Sequence, residues 1–341
     1  MKAKSLVIVL LSVFFLFGGL LTAGAEVYKV KITHPDSPTA PDNLAFLYLK
    51  KLLEERSNGQ FKVFVHPSAT LGTQREGLEA AQVGGVEIAL SSSGIATSFV
   101  PELALLDLPF MFNSFEEART AVDSPGITKL LSESFDKKGM KFLGFYENGF
   151  RNITNNKRPI WKLSDLKGLK IRTMEAPMHM LNFRALGASP TPMAFGELYT
   201  ALQQGVVDGQ ENPFVVIDLD KLYEVQKYTS VTNHIYDAMV VVASKKWFDS
   251  LPSDLQKMLT DSFRESVLYD YKINTAQSER SLTKLLSTKM QINAVPADEL
   301  NKIKEVGQKA VMKELYKKLD PKTVDWWMNE VDRIVKEVRG N

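Results

Sequence analysis

Apolar and polar residues alternate along Val27–Ile32, as on a half-buried strand, and then the period changes. Leu44, Leu47, Tyr48 and Leu52 recur at helical spacing through Glu55 until Asn58-Gly59 stops the run. Strand-like Phe61–Val65, a helix over Thr73–Val83 closed by Gly84-Gly85, and strand-like Val86–Leu90 complete a β-α-β-α-β unit. A second round follows, with Gly168–Thr173 as strand, Pro177–Leu186 and Glu197–Gln204 as helices, and Val206–Gln210 as strand. Such alternation predicts an α/β fold with largely parallel sheets.

The two rounds are related. An offset of 121 positions sets Glu76, Ala80, Gln82, Gly84 and Val86 against Glu197, Ala201, Gln203, Gly205 and Val207, Ser68 against Ser189, and Thr70 against Thr191. Two lobes on one plan imply a cleft between them, where small ligands bind. Beyond Leu251, Ser253 and Gln256 read as a capping box that opens a Pro- and Gly-free helix to about Leu286. At about 1.5 Å per residue it is long enough to span both lobes. Residues 296–338 are helical in pattern, with Trp326 and Trp327 as packing anchors. The expected division puts 26–148 and about 238–277 in lobe I, and 149–237 and about 278–341 in lobe II.

The N-terminus changes the picture. Lys2 and Lys4, an apolar run Leu6–Leu21 and Ala23-Gly24-Ala25 predict a signal peptide cleaved near Ala25, the run being shorter than the roughly 20 residues of a spanning helix. Those two lysines account for the whole excess of 42 basic over 40 acidic residues, so the remainder is neutral and lacks the footprint of a nucleic-acid binder. The chain has no cysteine, which excludes disulfides, thiol nucleophiles and thiolate metal sites. An exported, periplasmic monomer is expected.

Catalytic patterns fail. His34, His66, His179 and His234 are scattered, no P-loop, G-x-S-x-G or G-x-G-x-x-G occurs, and the calcium-loop-like start at Asp218 and Asp220 lacks its glycine. No catalytic residue, cofactor or metal is expected. Two arginines stand out. Arg172 lies near the carboxyl end of a predicted parallel strand, where α/β folds bind ligands, and Arg151 lies in a turn-like stretch, Asn148-Gly149-Phe150-Arg151, leading to the second lobe.

The chain resembles the DctP-type solute-binding proteins of tripartite ATP-independent periplasmic (TRAP) transporters. The likeness runs through LLDLPFMF at Leu105–Phe112, Asn148–Arg151, DLKGLKIR at Asp165–Arg172, GASPTPMAF at Gly187–Phe195, DGQENP at Asp208–Pro213, YEVQK at Tyr223–Lys227 and TNH at Thr232–His234. It implies a non-enzymatic receptor of two α/β lobes and a long helix that closes on an organic acid and delivers it to small and large membrane permease subunits. By the same resemblance Arg172 pairs with the ligand carboxylate, and Arg151, Phe195 and Asn212 line the site. Ser92, Ser93, Gln74, His34, Asn148 and Gln210, with Ser91, offer hydrogen bonds to a polyhydroxylated ligand. A hydroxylated monocarboxylate such as a hexuronate or other sugar acid is expected. The rivals are a C4-dicarboxylate, keto acid or small sulfonate, an exported hydrolase using Glu76, Glu147 or Glu211, and a sensor subunit.

Overall fold

The computed structural model describes residues 26–340; the expected signal peptide lies outside them. The first round forms β1 (Tyr28–Thr33), α1 (Pro41–Arg56), β2 (Phe61–His66), α2 (Gln74–Val83) and β3 (Ile88–Ser92), followed by a single turn α3 (Ser93–Ala96). Helix α2 starts where Thr73 and Glu76 cap each other reciprocally and ends at Gly84, whose φ of +84° is natural only to glycine. Helices α4 (Phe115–Val122) and α5 (Pro125–Asp136) then lead into β4 (Met140–Phe150), and one residue later the chain resumes as β5 (Asn152–Asn155).

The second round comprises β6 (Lys170–Thr173), α6 (Pro177–Ala185), β7 (Ser189–Pro192), α7 (Leu198–Gln203), β8 (Gly209–Asn212) and α8 (Phe214–Leu219). Strand β9 (Tyr228–Val231) precedes β10 (Tyr236–Ser244). After α9 (Lys245–Ser250) come α10 (Ser253–Leu286), β11 (Gln291–Ala294), α11 (Ala297–Lys318) and α12 (Pro321–Arg339).

The sheets run β2-β1-β3-β10-β4 and β11-β9-β5-β8-β6-β7. Both rounds place their first strand between the second and third, in parallel, so the internal repeat is a repeat of topology. The remaining pairs involving β4, β5 and β10 are antiparallel. The sheets are therefore mixed rather than largely parallel, because β4–β5 and β9–β10 pass directly between lobes without a crossover helix of their own. Arg151 sits at this crossing, between two strands rather than in a turn.

Helix α10 packs on α1 and β4 of lobe I and on α8 of lobe II. Tyr48 and Arg56 hold Glu265 at one end (2.6 Å each), and Asp218 meets Ser281 and Lys284 (2.8 Å each) at the other. Its start differs from the expected capping box. Pro252 occupies the cap, no side chain closes it, and Gln256 donates to the Leu251 carbonyl at 3.0 Å. The tail expected in lobe II divides. Helix α11 packs on α6, whereas α12 returns to lobe I, where Val324, Trp327, Val331, Ile334 and Val335 join the core of Leu103, Ala118, Leu131 and Phe135. Trp327 is the anchor, while Trp326 is 40% exposed.

Candidate functional site

The two crossing segments are stitched together at Arg151, whose amide donates to the Ile235 carbonyl (2.9 Å) and whose carbonyl accepts from His234 N–H (3.1 Å). Its guanidinium is fully buried. It bonds the Glu211 carboxylate through Nε and Nη2, the Glu211 carbonyl through Nη2, and Asp237 Oδ2 through Nη1 at 2.5 Å. Burial opposes the charge, but Glu211 and Asp237 outweigh it and raise the Arg151 pKa. Arg151 thus meets two protein carboxylates at the crossing between the lobes. The same network claims Ser92, whose hydroxyl donates to Asp237 Oδ1 at 2.6 Å, and Asn148, whose amide donates to Asp237 Oδ2 at 2.7 Å.

Sequence reasoning missed this cluster because Glu211, Asp237 and the histidines are far apart in the chain. Strand β8 is buried at every position, so no alternation marks Glu211 as special. His179 of α6 lies 3.5 Å from Glu211 and 3.4 Å from Asp107 of lobe I, and His234 lies 3.3 Å from Glu211. Burial alone would raise the Glu211 pKa, yet Arg151 and the two histidines hold it well below the usual carboxylate range. A carboxylate so stabilised cannot serve as a general acid. Glu147 is bidentate to Arg119 (2.6 and 2.9 Å) and Glu76 is spent on its helix cap, so none of the three hydrolase candidates is free.

Arg172 differs in kind. It lies near the carboxyl end of β6, beside Thr191 of β7 and Gln210 of β8, and is 1% exposed. Nε and Nη2 donate to the Met193 carbonyl (3.1 and 2.7 Å), and Nη1 has no partner among the described residues. Burial first, and Arg151 second, lower its pKa to about 10, despite opposing contributions from Glu211, Glu175 and Glu197. This is a buried cation whose counter-charge the protein does not provide. A carboxylate approaching Nη1 would complete it with a charge-assisted hydrogen bond.

A cavity of about 230 Å³ is walled by Pro35, Gln74, Arg75, Glu76 and Ile95 of the first round and by Glu175, Ala194, Phe195 and Glu197 of the second, Ala194 following Met193 in the chain. Gln74 accepts from the Ser92 amide (2.7 Å) and Ser91 Oγ (3.2 Å), leaving its own amide protons for the cavity. Asn212 donates to Gln210 (2.5 Å), which donates to Thr154 (3.0 Å), so Gln210 acts on Asn212 rather than facing outward. Ser93 is buried at the start of α3. His34 is buried with Nε2 against Asn43 Oδ1 at 3.1 Å, and it is not part of the cavity wall. Of the expected ligand residues, Gln74 and Phe195 line this cavity, Arg172 is buried on β6 three residues before the lining Glu175, and Arg151, Ser92, Asn148 and Gln210 hydrogen-bond other protein groups.

The lobes touch around this cavity. Ile95 of lobe I packs with Met174 and Ala176 of lobe II, and Gly94 approaches Ala176 so closely that an added Cβ would stand 2.9 Å from its methyl. A repeated α/β plan, two crossing strands and a buried, uncompensated cation at the cleft are the build of a binding protein. The model of the family described as "DctP: Bacterial extracellular solute-binding protein, family 7" matches residues 32–329. The chain belongs to this family. It is similar to the 2,3-diketo-L-gulonate-binding periplasmic protein YiaO of Escherichia coli strain K12, at 34% identity over 74% of this chain and 76% of that protein. Among solved structures it is similar to the sugar acid binding protein DctPAm of Advenella mimigardefordensis in complex with galactonate (TM-score 0.87, 32% identity, 91% of this chain and 99% of that one). A TRAP periplasmic solute-binding protein of Desulfovibrio salexigens with bound orotic acid gives a TM-score of 0.86 at 31% identity, over 90% and 100% of the two chains. The DctP-family chain is therefore a two-lobed periplasmic solute-binding protein and not an enzyme.

Proposed function

We propose that this DctP-family protein captures an organic acid between its lobes and delivers it to the membrane permease subunits of a TRAP transporter, acting as a monomer after signal-peptide cleavage near Ala25. The preferred ligand is a hydroxylated monocarboxylate, a hexuronate or related sugar acid. The observation that carries this reading is the charge inventory of the cleft. Arg172 is the buried cation with an unpartnered nitrogen, Arg151 is neutralised by Glu211 and Asp237, and the cavity wall adds Glu76, Glu175 and Glu197 against Arg75, which is tied to Ser98 at 3.0 Å. One carboxylate is welcome there. A second would meet like charge, and each such pair at about 7 Å costs about 2 kcal/mol at an effective dielectric near 20. Neutral donors such as Gln74 suit hydroxyl groups instead, and Phe195 screens the ion pair from water.

Thermal-shift screening followed by calorimetry tests the ligand class. Galactonate or glucuronate should raise the melting temperature more than succinate or malate, ligand at 100 times its dissociation constant adding about 2.7 kcal/mol. A larger shift with the dicarboxylates would overturn the monocarboxylate reading, and silence toward every carboxylate would overturn organic-acid capture itself.

A further inference from the structure

His34, Asp36 and Asp42, from the end of β1 to the first turn of α1, converge away from Arg172. One ligand atom from each lies within 4.8 Å of the others. The imidazole is held in one tautomer. Asn43 donates its amide to the Pro38 carbonyl (2.7 Å), which orients Asn43 Oδ1 to accept from His34 Nε2 (3.1 Å). Nε2 therefore carries the proton and Nδ1 is a bare lone pair. Nδ1 is buried, has no hydrogen-bond partner, and faces Asp42 Oδ2 at 3.6 Å; Asp42 Oδ2 and Asp36 Oδ2 are likewise buried and unpartnered. Three electron-rich atoms pointing at one another demand something positive between them.

The surroundings sharpen the demand. A cavity of about 20 Å³ is lined by Asp36 and Asp42 from lobe I and by Asp220, at the end of α8, from lobe II. It has room for one water-sized occupant. No basic side chain lines it, and Glu147, which does, is already paired with Arg119.

We propose that His34 Nδ1, Asp36 and Asp42 hold a single divalent cation at the β1–α1 turn. One imidazole with two carboxylates favours Mn²⁺ or Zn²⁺ over the all-oxygen shell typical of Ca²⁺. Asn43 orients the ligating ring as an outer-shell partner.

The test uses the full exported chain after chelator treatment, with no organic acid present, so that its outcome is independent of the carboxylate site. Electron paramagnetic resonance and calorimetry with Mn²⁺ should report one site per chain. Asp42→Asn and His34→Gln should each weaken it at least about tenfold, and Asn43→Ala, which removes no ligand atom, by about 10- to 100-fold. Arg172→Met should leave it unchanged. Absence of saturable Mn²⁺ or Zn²⁺ binding at millimolar concentration overturns the site, as does wild-type affinity in His34→Gln, which stands in should Asp42→Asn fail to fold.

Discussion

Arg172→Met is expected to abolish ligand binding and yet make the ligand-free protein more stable, while Arg151→Met does harm to both. The guanidinium of Arg172 is pushed down to about 10, chiefly by burial. At 1.36 kcal/mol per unit, keeping that charge in place costs roughly 3 kcal/mol. Methionine retains most of the stem and removes the charge. Against this gain stand the two hydrogen bonds to the Met193 carbonyl, whose loss costs about 1–2 kcal/mol. The balance is a net stabilisation of about 1–2 kcal/mol, a rise of a few degrees in melting temperature. Arg151→Met instead strands Glu211 and Asp237 without their cation, a loss of about 3–5 kcal/mol. Urea or thermal melts of the ligand-free proteins measure both, and calorimetry with the best organic acid measures binding. A micromolar complex is worth about 8.2 kcal/mol, so losing the carboxylate anchor takes Arg172→Met out of the measurable range. A destabilised Arg172→Met, or one that binds like wild type, would refute the idea that the protein stores an unpaired cation for its ligand.

Two further outcomes follow from the lobe contact. Gly94→Ala puts a methyl 2.9 Å from the Ala176 side chain across the cleft and 3.3 Å from the buried Asp107 carboxylate, so it should weaken ligand binding about tenfold or more, equivalent to about 1.4 kcal/mol; small-angle scattering should show the ligand-induced compaction of wild type diminished in the mutant, and full compaction would count against closure along this contact. Stability should also fall on the alkaline side: burial disfavours the His179 cation, but Asp107 and Glu211 outweigh it and raise its pKa to about 9, with Arg151 and His234 as the neighbouring basic groups. Because the folded value lies above the unfolded 6.5, the contribution of roughly 3 kcal/mol is complete below pH about 6.5 and is lost as pH rises through about 9. His179→Gln should flatten that slope in melts between those limits, and an unchanged slope would reassign it.

Much of the architecture is legible in the sequence because both rounds of β-α-β-α-β carry local signals: periodicity in α1, the Thr73/Glu76 cap and Gly84 stop of α2, and Pro177 opening α6. The antiparallel strands are harder to read. Strand β10 is buried at all nine positions and β8 at all four, so neither shows the alternation that reports a face. The site divides along the same line. Arg172 can be found from its strand-end position, which is a local fact. That Arg151 is spent on Glu211 and Asp237 depends on partners 60 and 86 residues away, and only the assembled fold reveals which of two arginines is free. Trp326 and Trp327 teach the same lesson at the scale of one helical step, since adjacent indoles lie on opposite sides of the helix surface and only Trp327 reaches the core.

The exchange of strands between lobes also bears on how such a chain would cross the inner membrane. Strand β10 lies between β3 and β4 in the first sheet, so a chain that has emerged only as far as residue 235 has the edge of that sheet but not the strand that joins its parts. The second sheet likewise lacks β11 until residue 294. Neither lobe can therefore be completed from a contiguous N-terminal stretch, and α12 must fold back onto the first lobe last of all. Pairings of such long sequence separation form slowly. A chain exported N-terminus first thus stays threadable through most of its passage, and it acquires its cleft only when nearly all of it has arrived on the far side.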